Sequence, residues 1–250
     1  MPERSIMPDG FGPRRLAPID APSGIARAAS SMAAGAAEDS PKPGCVPCFA
    51  AGTLIATAQG EVPVERLRAG DLVVTALGGA SLQPVIWMGH SRIDVARHRD
   101  PRAVAPVLIG TDALGEGMPH RPLRVSPDHG IHLEGCLVPA GLLVTGTSIV
   151  QELWCPAVTY WHVELPAHAL LVSDGVVAES YLDDGNRAQF DNHGITVLFK
   201  DFSADGPKAR RGPGACLPVV TGGEALGRIR ARLLSRAAGL RDAPARLRSA

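Results

Sequence analysis

Cys48 stands at the head of the run Phe49-Ala50-Ala51-Gly52-Thr53-Leu54-Ile55, where a Pro- and Gly-rich stretch gives way to a strand-like pattern. A thiol in that place can attack the carbonyl of the residue before it, Pro47, and turn a peptide bond into a thioester with no outside substrate. Three aids are needed, because an amide is a poor electrophile and a thiol at neutral pH is only partly thiolate. One group must protonate the departing nitrogen, a second must polarise or twist the peptide, and donors must hold the oxyanion. Downstream, Val125-Ser126-Pro127-Asp128-His129 offers two of these. His129, with an ordinary pKa near neutrality, suits proton donation; Ser126 can hydrogen-bond the peptide, and backbone N–H groups can complete the hole. Taken alone, Ser-x-x-His is read more simply as a turn serine beside a structural histidine.

The elements that must position these residues are short. Thr53 to Thr57 and Leu72 to Thr75 read as strands, with turns at Gln59-Gly60-Glu61 and Ala69-Gly70-Asp71 between them. Pro84 to Met88, Ala103 to Ile109, Leu123 to Val125, Ile131 to Leu133, Cys136 to Val138, Leu142 to Val144, Ile149 to Leu153, Val158 to Leu165 and Ala169 to Val172 continue the series. Asp174-Gly175 turns the chain into Val176 to Leu182. No long helical period interrupts them, which predicts an all-β domain. Residues 1–44, rich in Pro, Ala, Ser and Gly, carry too few patterned apolar residues to order themselves and read as a disordered leader, with at most a transient helix over Ala26 to Ala37. The all-β domain is expected over 45–192. Residues 193–250 read as a linker, with one strand-like run at Ile195 to Phe199, followed by a basic amphipathic helix over Gly223 to Leu240. Leu226, Ile229, Leu233 and Leu240 share one face of it and Arg228, Arg230, Arg232 and Arg236 lie largely on the other, so the helix is expected to pack loosely or dock a partner.

Acidic and basic residues balance at 25 each in a chain of 250, so net charge gives no reason to expect nucleic acid or a membrane surface as partner. No apolar run has the length of a membrane span or a secretory h-region. A cytoplasmic location is the default, and a secretion signal elsewhere than at the N-terminus would escape this reading. The five cysteines are odd in number and scattered, which fits a reduced state; Cys136 and Cys155 lie in apolar runs and are expected in the core. Cys45-x-x-Cys48 is half a zinc site at best, since no second Cys-x-x-Cys exists and His129-x-x-His132 is a sparse complement. Pro47 denies the pair the helix N-terminus of a redox motif. No metal and no cofactor is expected.

Cys48 to Thr53 followed by Val64-Glu65-x-Leu67-x-x-Gly70-Asp71 resembles the opening of the Hedgehog/intein (Hint) domains. Val125 to His129 is similar to their second motif, usually Thr-x-x-His, with serine in place of threonine. Tyr160 to Leu171 and Gly175 to Leu182 resemble the closing strands of a bacterial branch of that superfamily. The resemblance runs from Cys48 to about Asn192, with its motifs in order. It implies a horseshoe of short strands with pseudo-twofold symmetry, Cys48 as nucleophile, Ser126 and His129 as the pair activating the peptide, and His162 and His168 in the places of a later motif's Asp or Cys and histidine. The substrate it implies is the chain's own leader, with water or a small nucleophile as acyl acceptor. Splicing members end in His-Asn, whereas Glu179-Ser180 stands at the matching place, so cleavage without full splicing is the expectation. Pro47 fixes φ at the residue before the nucleophile and bears on the rate. The reading from another class is an inert Hint-like scaffold that binds partners through its basic end.

Overall fold

Two hairpins illustrate how the sequence sets the ladders. Asp174-Gly175 and Glu134-Gly135 both adopt positive φ at both residues, the conformation a two-residue hairpin turn requires if its twist is to match the strands. In the computed structural model the described residues are 46–76, 81–183, 187, 190–192 and 215–247, with side chains through 242. The leader, Cys45, His193 and the run Ile195 to Phe199 fall outside them.

The strands are β1 (Phe49–Ala50), β2 (Leu54–Thr57), β3 (Gly60–Pro63), β4 (Leu72–Thr75), β5 (Ser81–Pro84), β6 (Trp87–Asp94), β7 (Val107–Ile109), β8 (Leu123–Val125), β9 (Gly130–Leu133), β10 (Cys136–Pro139), β11 (Ile149–Gln151), β12 (Ala157–Glu164), β13 (Leu170–Ser173) and β14 (Val176–Glu179). They form two sheets, in the orders β11-β7-β8-β1-β12-β6 and β10-β9-β14-β13-β2-β4-β5, with β3 beside β2. Their ladders are antiparallel throughout. One apolar core joins the sheets: Phe49, Val107 and Val125 from the first pack in the same cluster as Ile55, Val73, Ile131 and Leu171 from the second. The all-β expectation holds for the described part of the domain.

Several short apolar runs differ from expectation. Leu142 to Val144 is not a strand; Ala140–Leu143 is a 3-10 turn, pinned by Ala140 N–H on the His129 carbonyl and Gly141 N–H on the Pro127 carbonyl. Ala103 to Ile109 divides into a helical turn, α1 (Pro101–Val104), and β7, because Asp100 caps the turn by accepting the Arg102 N–H and Pro101 opens it. Pro84 to Met88 likewise divides, ending β5 and starting β6, which then runs on to Asp94. Cys136 is buried, as expected, but Cys155 is only half-buried.

The helix Gly223–Leu247 is amphipathic and does not pack loosely, and three of its arginines, Arg230, Arg232 and Arg236, are engaged by the β domain. Leu226, Ile229 and Leu233 belong to the same core cluster as the sheets. Its basic side chains fasten it down. Arg230 donates to the Leu142 carbonyl at 2.6 Å, Arg236 to the Asp112 carbonyl, and Arg232 pairs with Glu134 at 3.3 Å. Upstream of it, Leu137 N–H and Val220 N–H exchange bonds with Pro218 and Leu137 carbonyls, which covers the outer edge of β10. None of the described helices is long and apolar enough to cross a membrane.

Candidate active site

Register alone brings the first three site residues together. β1 is an interior strand, with Phe49 opposite Val125 on one side and Trp161 on the other. In antiparallel pairing one step back along β1 is one step forward along its neighbours, so Cys48 falls opposite both Ser126 and His162. The side chains meet there. Cys48 N–H donates to Ser126 Oγ at 3.0 Å, and Ser126 N–H donates to the Cys48 carbonyl at 2.9 Å. Ser126 Oγ also donates to the Val46 carbonyl at 3.3 Å, so one hydroxyl straddles the two peptides around Pro47. The Cys48 sulfur lies 2.9 Å from His162 Nε2 and donates toward the Val46 carbonyl.

His129 lies at the end of the turn that follows β8, its ring packed on Phe49 with centroids 4.3 Å apart. Burial lowers its pKa to about 4, while the Glu179 carboxylate and the nearby backbones of Cys48 and Glu179 pull the other way. Neither ring nitrogen has a hydrogen-bond partner among the described residues. Burial likewise lowers the His162 pKa to about 3, assisted by repulsion from His129 and opposed by the Pro47 backbone. Both rings are therefore neutral near pH 7, and with its proton on Nδ1 a neutral His162 would present Nε2 to the thiol as an acceptor. His168 is not at the sulfur. Its Nε2 lies 3.3 Å from Glu179 Oε2 instead.

Sequence reasoning missed the wall that encloses this pocket. Phe190 packs edge-on to His162 with centroids 4.3 Å apart, Tyr181 does so at 5.7 Å, and Trp87 backs both. Val46 packs against this aromatic cluster. Arg187 lies over Trp87 and pairs with Glu164 and Asp183, while Asp191 and Asn192 bond to the outer edge of β6, which carries the segment holding Phe190 back across the sheet. These residues are far apart in the chain and follow no shared period, so only the aromatic character of each was available as a signal. No group of three or more His, Cys, Asp or Glu among the described residues is arranged to hold a metal ion.

The sequence profile of the Hint domain matches residues 47–185, more than half of the 250-residue chain. The chain belongs to the Hint family, a class of self-processing domains that act on their own flanking segments. Among solved structures it is similar to a bacterial intein-like domain from Clostridium thermocellum, with 18% identity over 54% of this chain and 97% of that one and a TM-score of 0.40. It is also similar to a DnaB intein from Synechocystis, at 11% identity over 54% of this chain and 98% of that one, TM-score 0.40. No curated protein matches the sequence.

The two lowered histidines set a direction for stability against pH. His129 and His162 stay neutral in the folded chain down to about pH 4 and about pH 3, whereas in the unfolded chain they charge below about 6.5. The unfolded state therefore binds more protons in that window, and stability present above about pH 6.5 is lost as pH falls. Asp174, raised to about 6 by burial, acts oppositely over part of the window. Asp128, raised by burial and by Glu179, acts in the same sense as Asp174; only the histidines differ from their unfolded values across the whole window, so the net direction is a loss of stability as pH falls. Urea midpoints of the Cys48→Ala chain should fall from pH 7 to pH 5; midpoints that rise would contradict the assignment.

Proposed function

We propose that the chain cleaves itself between Pro47 and Cys48 by an N-to-S acyl shift and does not complete splicing. The observation that carries this reading is the 2.9 Å approach of the Cys48 sulfur to His162 Nε2, at the residue whose N–H is already held by Ser126 Oγ at 3.0 Å. Nucleophile, proton acceptor and a polarising contact thus share one peptide, within reach before any substrate binds.

In the reaction His162 takes the thiol proton, sulfur adds to the Pro47 carbonyl, and His129 supplies a proton to the Cys48 nitrogen as the C–N bond breaks. The amine so formed stays on Ser126, close to the thioester. The shift is therefore readily reversed, and net release waits on water or another nucleophile to take the acyl group. Splicing would need a cyclising amide at the end of β14. Glu179 is instead bound to Gly130 N–H, and Ser180 exchanges hydrogen bonds with Ala169.

Mass spectrometry of the purified full chain tests the proposal. Dithiothreitol or hydroxylamine is expected to release a fragment beginning at Cys48 and a leader ending at Pro47. An intact mass under both reagents would favour the inert scaffold, whose partner surface would then have to be sought away from the arginines that fasten the C-terminal helix.

A further inference from the structure

Two residues before the cut, the leader is held by both its backbone and its side chain. The Val46 carbonyl accepts the Ser126 hydroxyl at 3.3 Å and is also the acceptor for the Cys48 thiol. The Val46 side chain, half-buried, packs against the cluster of Trp87, Tyr181 and Phe190. These three rings touch one another, with centroids 5.0 to 5.5 Å apart, and each is almost fully buried. Nothing in the acyl shift itself calls for an apolar residue at this place.

The rings are fixed from outside. Trp87 opens β6 opposite Glu164 of β12, and Tyr181, just beyond β14, donates its N–H to the Val163 carbonyl at 2.8 Å. Phe190 is held through its neighbours in the chain. Asp191 Oδ2 accepts the Arg92 N–H at 2.9 Å, and Asn192 Oδ1 accepts the His90 N–H at 3.1 Å while its amide donates to the Met88 carbonyl at 2.8 Å. A packed surface of this kind presents one shape rather than several. Arg187 lies over Trp87, but its charge is already met by Glu164 and Asp183.

We infer that Trp87, Tyr181 and Phe190 form a subsite that reads the leader residue at position 46, taking a small branched apolar side chain and rejecting a charged one. This rests on the cleavage reading and adds which leaders the site will cut. Pro47 carries the reading to the bond that breaks. Its ring fixes φ, and the residue before a proline is itself confined to extended backbone. With Val46 seated at its side chain and at its carbonyl, little freedom remains by which the Pro47 carbonyl can swing away from the Cys48 sulfur. The same wall backs His162, since Phe190 packs on that ring at 4.3 Å between centroids. A side chain that cannot seat therefore displaces the carbonyl under attack, and a misplacement of about 1 Å can cost about 10²-fold in rate.

The test changes only the leader and leaves the domain's own residues as they are. In the full chain Val46→Asp should slow thiol-induced release about 10²-fold, read by mass spectrometry under denaturing conditions. Val46→Ala should slow it about fourfold, for two half-buried methyl groups lost, and Val46→Ile should stay within about twofold of the parent. A second readout needs no cleavage. In the Cys48→Ala chain the amide at position 48, which Ser126 Oγ holds, should exchange its proton fastest with Asp at 46, more slowly with Ala and slowest with Val or Ile, while the amides of β13 keep one rate. Release from the Val46→Asp chain within about threefold of the parent overturns the subsite. So does exchange at position 48 that ignores residue 46, or that rises only as much as exchange in β13. Should exchange follow the expected order while no chain with Cys48 ever releases its leader, the cleavage reading fails and the seating of Val46 stands.

Discussion

His162→Gln is expected to slow thiol-induced cleavage at Pro47–Cys48 by about 10²- to 10⁴-fold, the range over which a positioned general base contributes. Glutamine keeps much of the volume and a polar end near the Cys48 sulfur but cannot accept and hold the thiol proton. Cys48→Ala sets the floor, with no fragment at all. The comparison is informative because His162 also supports the aromatic wall, packed on Phe190 and Tyr181. If its part were only to fill space, His162→Gln would lower thermal stability and leave the rate within a few-fold once folded protein is counted. A rate loss of the expected size, in a chain whose melting point has moved little, assigns the proton to this ring. A rate within tenfold of the parent would leave Cys48 to be activated by some other group and would remove the main support for the mechanism proposed.

The second large effect concerns stability. Leu233 is fully buried against the sheets, whereas its neighbour Leu234 is half exposed. Leu233→Ala should cost about 2–5 kcal/mol, the loss of buried methylenes plus the cavity they leave. Leu234→Ala should change stability by no more than about 0.5 kcal/mol. Urea unfolding of the Cys48→Ala chain, followed by the shift in midpoint at constant slope, measures both. Equal small effects would mean that the helix unfolds apart from the β domain; the expected disparity would make it part of one cooperative unit, although it lies beyond the segment that the Hint profile matches.

Much of this site can be read along the chain, for a physical reason. A nucleophile of this kind must precede a strand, and the turn at Asp174-Gly175 has backbone requirements that act locally. Ala103 to Ile109 reads as one strand, and the helical turn at its start is missed although Asp100-Pro101 carries the capping signal for it. What could not be read is what register decides. That Cys48 faces both Ser126 and His162 depends on β1 lying between β8 and β12, a pairing of segments distant in sequence. Glu179 was visible only as the first residue of Glu179-Ser180, standing where splicing members carry His-Asn. Its bond to the Gly130 N–H depends on β14 pairing with β9, where Ala178 lies opposite Ile131. The arginines of the last helix misled for a related reason: a polar stripe on one helix does not reveal which carbonyls and carboxylates a neighbouring sheet will present to it.

Val46 has a consequence of its own. It belongs to the portion that cleavage would detach, yet its side chain is lodged among Trp87, Tyr181 and Phe190, which stay behind. Once a nucleophile has taken the acyl group from the Cys48 sulfur, departure of the severed piece is a further event with its own rate, set by how fast one small apolar anchor works loose from its aromatic socket. Until it does, the acyl group remains docked beside the amine it left, and rejoining competes with escape.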